Sequence, residues 1–195
     1  DHCPVCESPV EQDPGEVAIR CSNVACPAQV KERIIYFASK TAMDIDYLGR
    51  QNTIRFVDEG FLKDFADIYY MDREKIEPLE GFGKKSSDNL FQAIEKSKHN
   101  PLFRLITGLG IRYIGQKAAR ILASEFGSLD KLAKAKESEL TRIPDIGDVM
   151  ARSVVNFFSN ERNQEVLEKL KSAGLKWEEK PDEKAASIQG ELFDQ

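Results

Sequence analysis

Apolar positions recur along this chain with helical spacing, in register with a repeated turn. The pattern apolar-x-x-apolar-Gly occurs four times, as Ile45-Asp46-Tyr47-Leu48-Gly49, Leu79-Glu80-Gly81-Phe82-Gly83, Ile111-Arg112-Tyr113-Ile114-Gly115 and Ile143-Pro144-Asp145-Ile146-Gly147. The closing glycines stand 34, 32 and 32 residues apart. Four residues after each comes a small side chain (Thr53, Ser87, Ala119, Ala151), and seven after each an apolar one (Phe56, Leu90, Leu122, Val154). At the eleventh position three copies carry Ile94, Phe126 and Phe158, whereas the first has Gly60. These offsets trace one face of an α-helix, with the small residue allowing close approach of another helix. Apolar segments at 34–38, 65–71, 102–106 and 129–135 precede the hairpins, so the unit reads as helix, hairpin, helix. Phe56, Tyr69, Phe91 and Phe157 are expected in the core rather than as base-stacking surfaces. Trp177, just past Gly174, is expected to hold the last helix on the body.

The first 26 residues have a different texture and contain all four cysteines: Cys3, Cys6, Cys21 and Cys26. Two close thiol pairs joined by a loop suit a tetrahedral Zn²⁺, each pair supplying two adjacent corners. The alternating Val17-Ala18-Ile19-Arg20 run predicts a short strand delivering Cys21. So short a module buries little core, so metal binding would supply much of its folding energy. Two disulfides are the alternative. A catalytic zinc fits less well, because four thiolates leave no open position for water. His2 is expected to be a solvated terminal residue.

Composition adds bounds. The 195 residues are 41% apolar and 31% charged with a net charge of −5, the profile of one to three small globular domains. No apolar run reaches the roughly 18 residues that span a bilayer, and no signal peptide opens the chain, so neither a membrane nor secretion is expected. Residues 178–195 hold six acids against Lys180 and Lys184, and they read as a polar linker.

The four repeats resemble helix-hairpin-helix motifs, whose fuller pattern is apolar-x-Gly-apolar-Gly. A four-thiol module followed by four such motifs is similar to the zinc and helix-hairpin-helix region of bacterial NAD-dependent DNA ligases. Cys26-Pro27-Ala28-Gln29, Ile35-Tyr36-Phe37-Ala38-Ser39-Lys40 and Leu109-Gly110-Ile111-Arg112-Tyr113-Ile114-Gly115 match that family closely. The resemblance implies an all-α fold of four tandem motifs: a zinc finger at 1–30, a DNA-binding body at 31–177 and a linker at 178–195. That linker would lead towards a BRCT domain, with Gly190-Glu191-Leu192-Phe193 as its approach. It also implies one structural Zn²⁺, nicked double-stranded DNA and other domains of the same ligase as partners, and a bacterial cytoplasmic, nucleoid-associated setting. NAD would serve only the family's adenylation domain, whose Lys-x-Asp-Gly signature is absent here, so no catalytic residue is expected in this chain.

A glycine-led helix N-terminus offers unpaired N–H donors and a positive dipole end, which suit a phosphate and do not read a base. The candidate DNA contacts are therefore Gly49, Arg50, Gly81, Gly83, Lys84, Lys85, Arg112, Gly115, Lys117, Arg120 and Gly147. Residues 96–124 contain six bases and no acid, and they surround the third hairpin. Only the second hairpin has both glycines; Tyr47, Tyr113 and Asp145 take the first position elsewhere and are expected to hold a phosphate farther off. Asp145 and Asp148 should make the fourth hairpin the weakest site and the first intermediate, leaving the second and third dominant. Two competing classes remain: a protein-interaction scaffold, or the corresponding region of another DNA-repair protein. A self-contained metal-dependent hydrolase would need clustered carboxylates that the chain lacks.

Overall fold

The computed structural model describes residues 2–180 and is mostly helical, with eleven helical segments following one two-stranded hairpin. In that hairpin β1 (Val10–Gln12) runs antiparallel to β2 (Ile19–Cys21) and sets Val10 opposite Cys21. The strand begins two residues later than its alternation predicts. The Asp13-Pro14-Gly15-Glu16 turn, closed by Glu16 N–H to the Asp13 carbonyl at 3.0 Å, leaves Val17 93% exposed beyond the ladder.

The helices are α1 (Val30–Ala38), α2 (Arg50–Asp58), a 3-10 helix (Phe65–Tyr70), α3 (Arg73–Ile76), α4 (Lys84–Ser97), α5 (Leu102–Gly108), α6 (Gln116–Phe126), α7 (Leu129–Ala133), α8 (Glu137–Leu140), α9 (Asp148–Ser159) and α10 (Glu161–Ser172). Four of them start alike. Before α2, α4, α6 and α9 the chain makes a turn closed by an N–H to C=O bond three residues back: Leu48 to Ile45, Phe82 to Leu79, Ile114 to Ile111 and Ile146 to Ile143. The third residue of each turn is left-handed, with φ of 68° at Tyr47, 79° at Gly81, 66° at Tyr113 and 70° at Asp145. This is the geometry of a type II turn. The non-glycine residues at the first motif position thus adopt the conformation that glycine adopts in the second copy.

Helices α1, α3, α5 and α8 precede these turns and pack against α2, α4, α6 and α9. For the second and fourth turns this corrects the sequence expectation. The apolar segments at 65–71 and 129–135 form the 3-10 helix and α7, and a one-turn helix intervenes in each case. Each of α3 and α8 carries one apolar residue, Ile76 and Leu140, both fully buried. A single apolar position has no period to detect.

The helix faces are as the repeat predicts. Thr53, Ser87, Ala119 and Ala151 are fully buried, and Phe56, Leu90, Leu122 and Val154 enter the same core. The first helix stops early at Gly60, which takes φ +83° where the other copies carry a core residue. Phe37 stacks on Phe65 with centroids 4.7 Å apart, and Phe56 meets Phe82 at 5.5 Å. Tyr69 and Phe91 pack against this core. Trp177 donates from Nε1 to Asp130, while its carbonyl accepts from Leu129 N–H at 2.9 Å, pinning the segment after α10 onto α7. The pinning continues into the expected linker. Glu179 N–H donates to the Gly127 carbonyl, and its carboxylate accepts from Leu102 N–H at 2.7 Å, serving α5 where Pro101 offers no side-chain cap. The rest of that linker, 181–195, lies outside the described residues. Among the described residues no helix is long and apolar enough to cross a membrane.

The left-handed positions make a stability prediction. Gly81→Ala should cost about 1 kcal/mol in urea unfolding. Tyr47→Gly removes an aromatic side chain that is 55% exposed, yet should change stability by less than about 0.5 kcal/mol, because relief of the left-handed backbone offsets the added unfolded-state entropy.

Candidate zinc centre and phosphate-facing turns

The four thiols converge from two tight knuckles. In the first, Cys3 N–H bonds the Ser8 carbonyl and Glu7 N–H bonds the Cys3 carbonyl, both at 2.9 Å, with Glu7 in the left-handed region at φ 59°. In the second, Cys26 N–H bonds the Asn23 carbonyl at 3.2 Å, and Gln29 N–H bonds the Cys26 carbonyl on the way into α1. All four Sγ atoms lie within 4.8 Å of one another, Cys3 and Cys26 at 3.9 Å and Cys6 and Cys21 at 3.4 Å. Zn–S bonds of about 2.3 Å at tetrahedral angles require S···S separations of about 3.8 Å, so the cluster fits one Zn²⁺. None of the four is in a disulfide. His2 is exposed and stands outside the cluster.

The local electrostatics call for a cation. Burial pushes the Cys21 thiol up to about 12 and raises Cys26 as well. Burial also opposes ionisation of Cys6, but hydrogen bonds with Ser8 and Asn23 overcome it and bring that thiol down to about 6. A bound divalent ion supplies the charge that lets all four become thiolates.

This module docks on the helical body through residues that sequence inspection did not single out. Buried Asn163 of α10 accepts from Val24 N–H at 3.0 Å and donates to the Ser22 carbonyl at 3.2 Å. Asn160 donates to Ser22 Oγ at 2.9 Å. The β1–β2 turn supplies Asp13 and Glu16. Both carboxylates pair with Arg112, Glu16 at 2.9 Å, and Asp13 also accepts from the Tyr113 hydroxyl. The Asp-Pro-Gly-Glu run signals a turn in the sequence, but nothing local to it names its partner.

The turns themselves face outward. Gly49, Gly83, Gly115 and Gly147 are the N-caps of α2, α4, α6 and α9, and none of these helices has a side-chain cap. By contrast α3, α7 and α10 are capped by Asp72, Ser128 and Asn160. A Cβ added at any of the four glycines would meet nothing within 4 Å, and their φ values lie outside the left-handed region. Neither internal packing nor backbone conformation demands glycine there. The first turns of α2, α4 and α6 carry no acid, whereas α9 carries Asp148.

The predicted cations are placed unequally. Lys84 and Lys85, in the first turn of α4, are exposed and form no ion pair among the described residues. Arg50 pairs with Glu32 at 2.6 Å on the surface, and Lys117 lies 3.3 Å from Asp145 of the fourth turn. Arg120 covers the Phe103 ring at 3.8 Å. Arg112 is the most committed: its side chain is 23% exposed, held by two carboxylates and laid over the Tyr113 ring. The turns also pair in a common way. Arg55, six residues after Gly49, donates to the Glu80 carbonyl, three before Gly83. Ser153, six after Gly147, donates to the Arg112 carbonyl, three before Gly115.

Replacing Cys21 by Ser should abolish stoichiometric zinc and unfold the first 30 or so residues while most helical circular dichroism persists. Asn163→Ala, which leaves the Val24 N–H and Ser22 carbonyl unpaired, should destabilise the zinc-loaded chain by about 1–3 kcal/mol in denaturant unfolding.

Known protein families match this chain in two places. Residues 2–28 match the NAD-dependent DNA ligase C4 zinc finger domain, and residues 104–167 match the helix-hairpin-helix motif, which includes the third and fourth turns. A DNA ligase of Natranaerobius thermophilus is 48% identical over 187 residues, covering 96% of this chain and 28% of the relative. One from Chloroflexus aggregans is 45% identical over 195 residues, covering 98% and 29%, and one from Carboxydothermus hydrogenoformans is 50% identical over 175 residues, covering 90% and 26%. The chain therefore spans between a quarter and a third of the length of these relatives. Four clustered thiols, the glycine-capped turns and this similarity agree: the chain corresponds to the zinc-finger and helix-hairpin-helix region of NAD-dependent DNA ligases.

Proposed function

We propose that this chain grips duplex DNA by its backbone, without reading sequence, and presents nicked duplex to the nick-sealing domains of an NAD-dependent ligase. All four turns act as helix-hairpin-helix units on this reading, with residues 1–30 as the zinc module and 31–177 as the DNA-binding body. The carrying observation is the repeat of an uncapped, glycine-led helix N-terminus with open space in front of it. Unsatisfied N–H groups at the positive end of a helix suit a phosphate oxygen, and the missing Cβ lets the strand come close.

The charge arrangement ranks the turns. The second combines its amides with Lys84 and Lys85, which form no ion pair among the described residues. The third offers acid-free amides and Lys117, while Arg112 is occupied by the zinc module and contributes less than its place in the motif suggests. In the first turn, Arg50 must leave Glu32. The fourth is weakest, because Asp145 and Asp148 stand where a phosphate would sit; its helix mainly supports the third turn through Ser153. The chain carries no adenylated-lysine signature, so by itself it should neither react with NAD nor seal a nick.

Fluorescence anisotropy with nicked and intact duplexes of unrelated sequence tests the reading. Affinity should be similar across sequences and fall steeply with salt, and the nicked duplex should compete better than the intact one. Lys85→Ala should weaken binding uniformly and lower the salt slope by about one, Arg112→Ala should do less, and Asp148→Ala should leave affinity unchanged or slightly raised. No measurable duplex binding would favour the scaffold reading, and a larger loss at Gly147 than at Lys85, with folding intact, would overturn the ranking.

A further inference from the structure

Arg33 sits at the junction of the zinc module, α1 and the approach to the third turn, and the proposed DNA contacts do not use it. Its Nε donates to Gln29 Oε1 at 3.2 Å, and its Nη2 reaches the carbonyl of the zinc ligand Cys21 at 3.4 Å. Its Nη1 lies against Gly110, whose added Cβ would be 3.5 Å away. The side chain is half-buried and forms no ion pair with a carboxylate among the described residues. The carbonyl it reaches belongs to one of the four clustered thiol residues, so the guanidinium stands beside the zinc centre. Four thiolates around one divalent cation leave about two negative charges in a desolvated site, and desolvated charge is costly unless compensated.

We propose that Arg33 is the charge-compensating residue of the zinc centre. Its guanidinium, fixed by Gln29 and the Cys21 carbonyl, stabilises the excess negative charge of the tetrathiolate and holds β2 against α1 without touching the metal. Zinc loading then favours the docked junction, because the thiolates place negative charge beside a guanidinium that forms no carboxylate ion pair among the described residues.

Chelator competition on the zinc-loaded protein tests this, with no reference to DNA or ligation. Arg33→Gln, which keeps a polar group and loses the charge, should weaken zinc binding by about 10- to 100-fold, the range typical of groups that support metal ligands. Arg33→Lys keeps the charge and should recover most of that loss. If Arg33→Gln fails to fold, Arg33→Met retains the packed stem and takes its place with the same expectation. Thermal midpoints with and without zinc separate charge from packing: the neutral variants should lose more in the loaded protein than in the reduced, metal-free one. Wild-type zinc affinity in the neutral variants would overturn the proposal. Equal weakening by Lys and Gln, or equal losses of midpoint in both forms, would overturn it as well.

Discussion

A left-handed residue two positions before a helix-initiating glycine is the constraint on which the rest of the fold depends. It closes a turn with a single backbone bond, reverses the chain, and leaves the next helix starting with its amides unpaired. Glycine makes that conformation easy at residue 81, but Tyr47, Tyr113 and Asp145 hold it against a cost of roughly 1 kcal/mol each. What sustains them is packing on both sides of the turn. Ile45 and Leu48, Ile111 and Ile114, and Ile146 are buried, so the apolar residues that bracket each turn anchor it in the core. The pairing of turns follows from the same geometry. A helix whose small residue is fully buried can bring its second turn under the neighbouring hairpin, and Arg55 and Ser153 donate to equivalent carbonyls. Family similarity matches the third and fourth turns to the motif; the first and second share with them the left-handed third residue and the contact to an equivalent carbonyl.

Much of this was legible in the sequence because it is periodic. The spacing of Gly49, Gly83, Gly115 and Gly147, the small residues after them and the buried faces behind them all appear where the repeat places them. The thiol spacing likewise indicates the cluster, and the alternating run at 17–20 indicates the strand that delivers Cys21, which begins two residues later. What escaped lacked either period or locality. The one-turn helices α3 and α8 have one core residue apiece, so the longer apolar segments upstream drew the assignment. Asn163, Asp13 and Glu16 join segments far apart in the chain, and a polar residue's distant partner leaves no trace in its neighbourhood. A non-glycine at the first motif position leaves the turn geometry alike in all four copies, and side-chain identity sets the cost of the left-handed conformation.

Net charge near a turn is a poor guide to what that turn can offer a phosphate, because intramolecular carboxylates compete for the same cations. Three cases here differ in kind. Arg50 with Glu32 and Lys117 with Asp145 are exposed pairs, worth no more than about 1 kcal/mol, so a phosphodiester can displace the carboxylate at little cost. Lys84 and Lys85 form no ion pair among the described residues, so there a phosphodiester displaces no described carboxylate. Arg112 is different, because releasing it breaks contacts to Asp13 and Glu16, disturbs its stacking on Tyr113 and loosens the zinc hairpin from the body. The acid-free run at 96–124 is therefore less positive in space than in sequence, since two acids from a segment about a hundred residues earlier fold onto its central arginine. The consequence for the proposed grip is a division of labour. On that reading the second turn would meet DNA with cations that form no ion pair among the described residues, while part of the third turn's charge joins the zinc module to the body, so that the module's folded state and the position of that turn become a single mechanical unit.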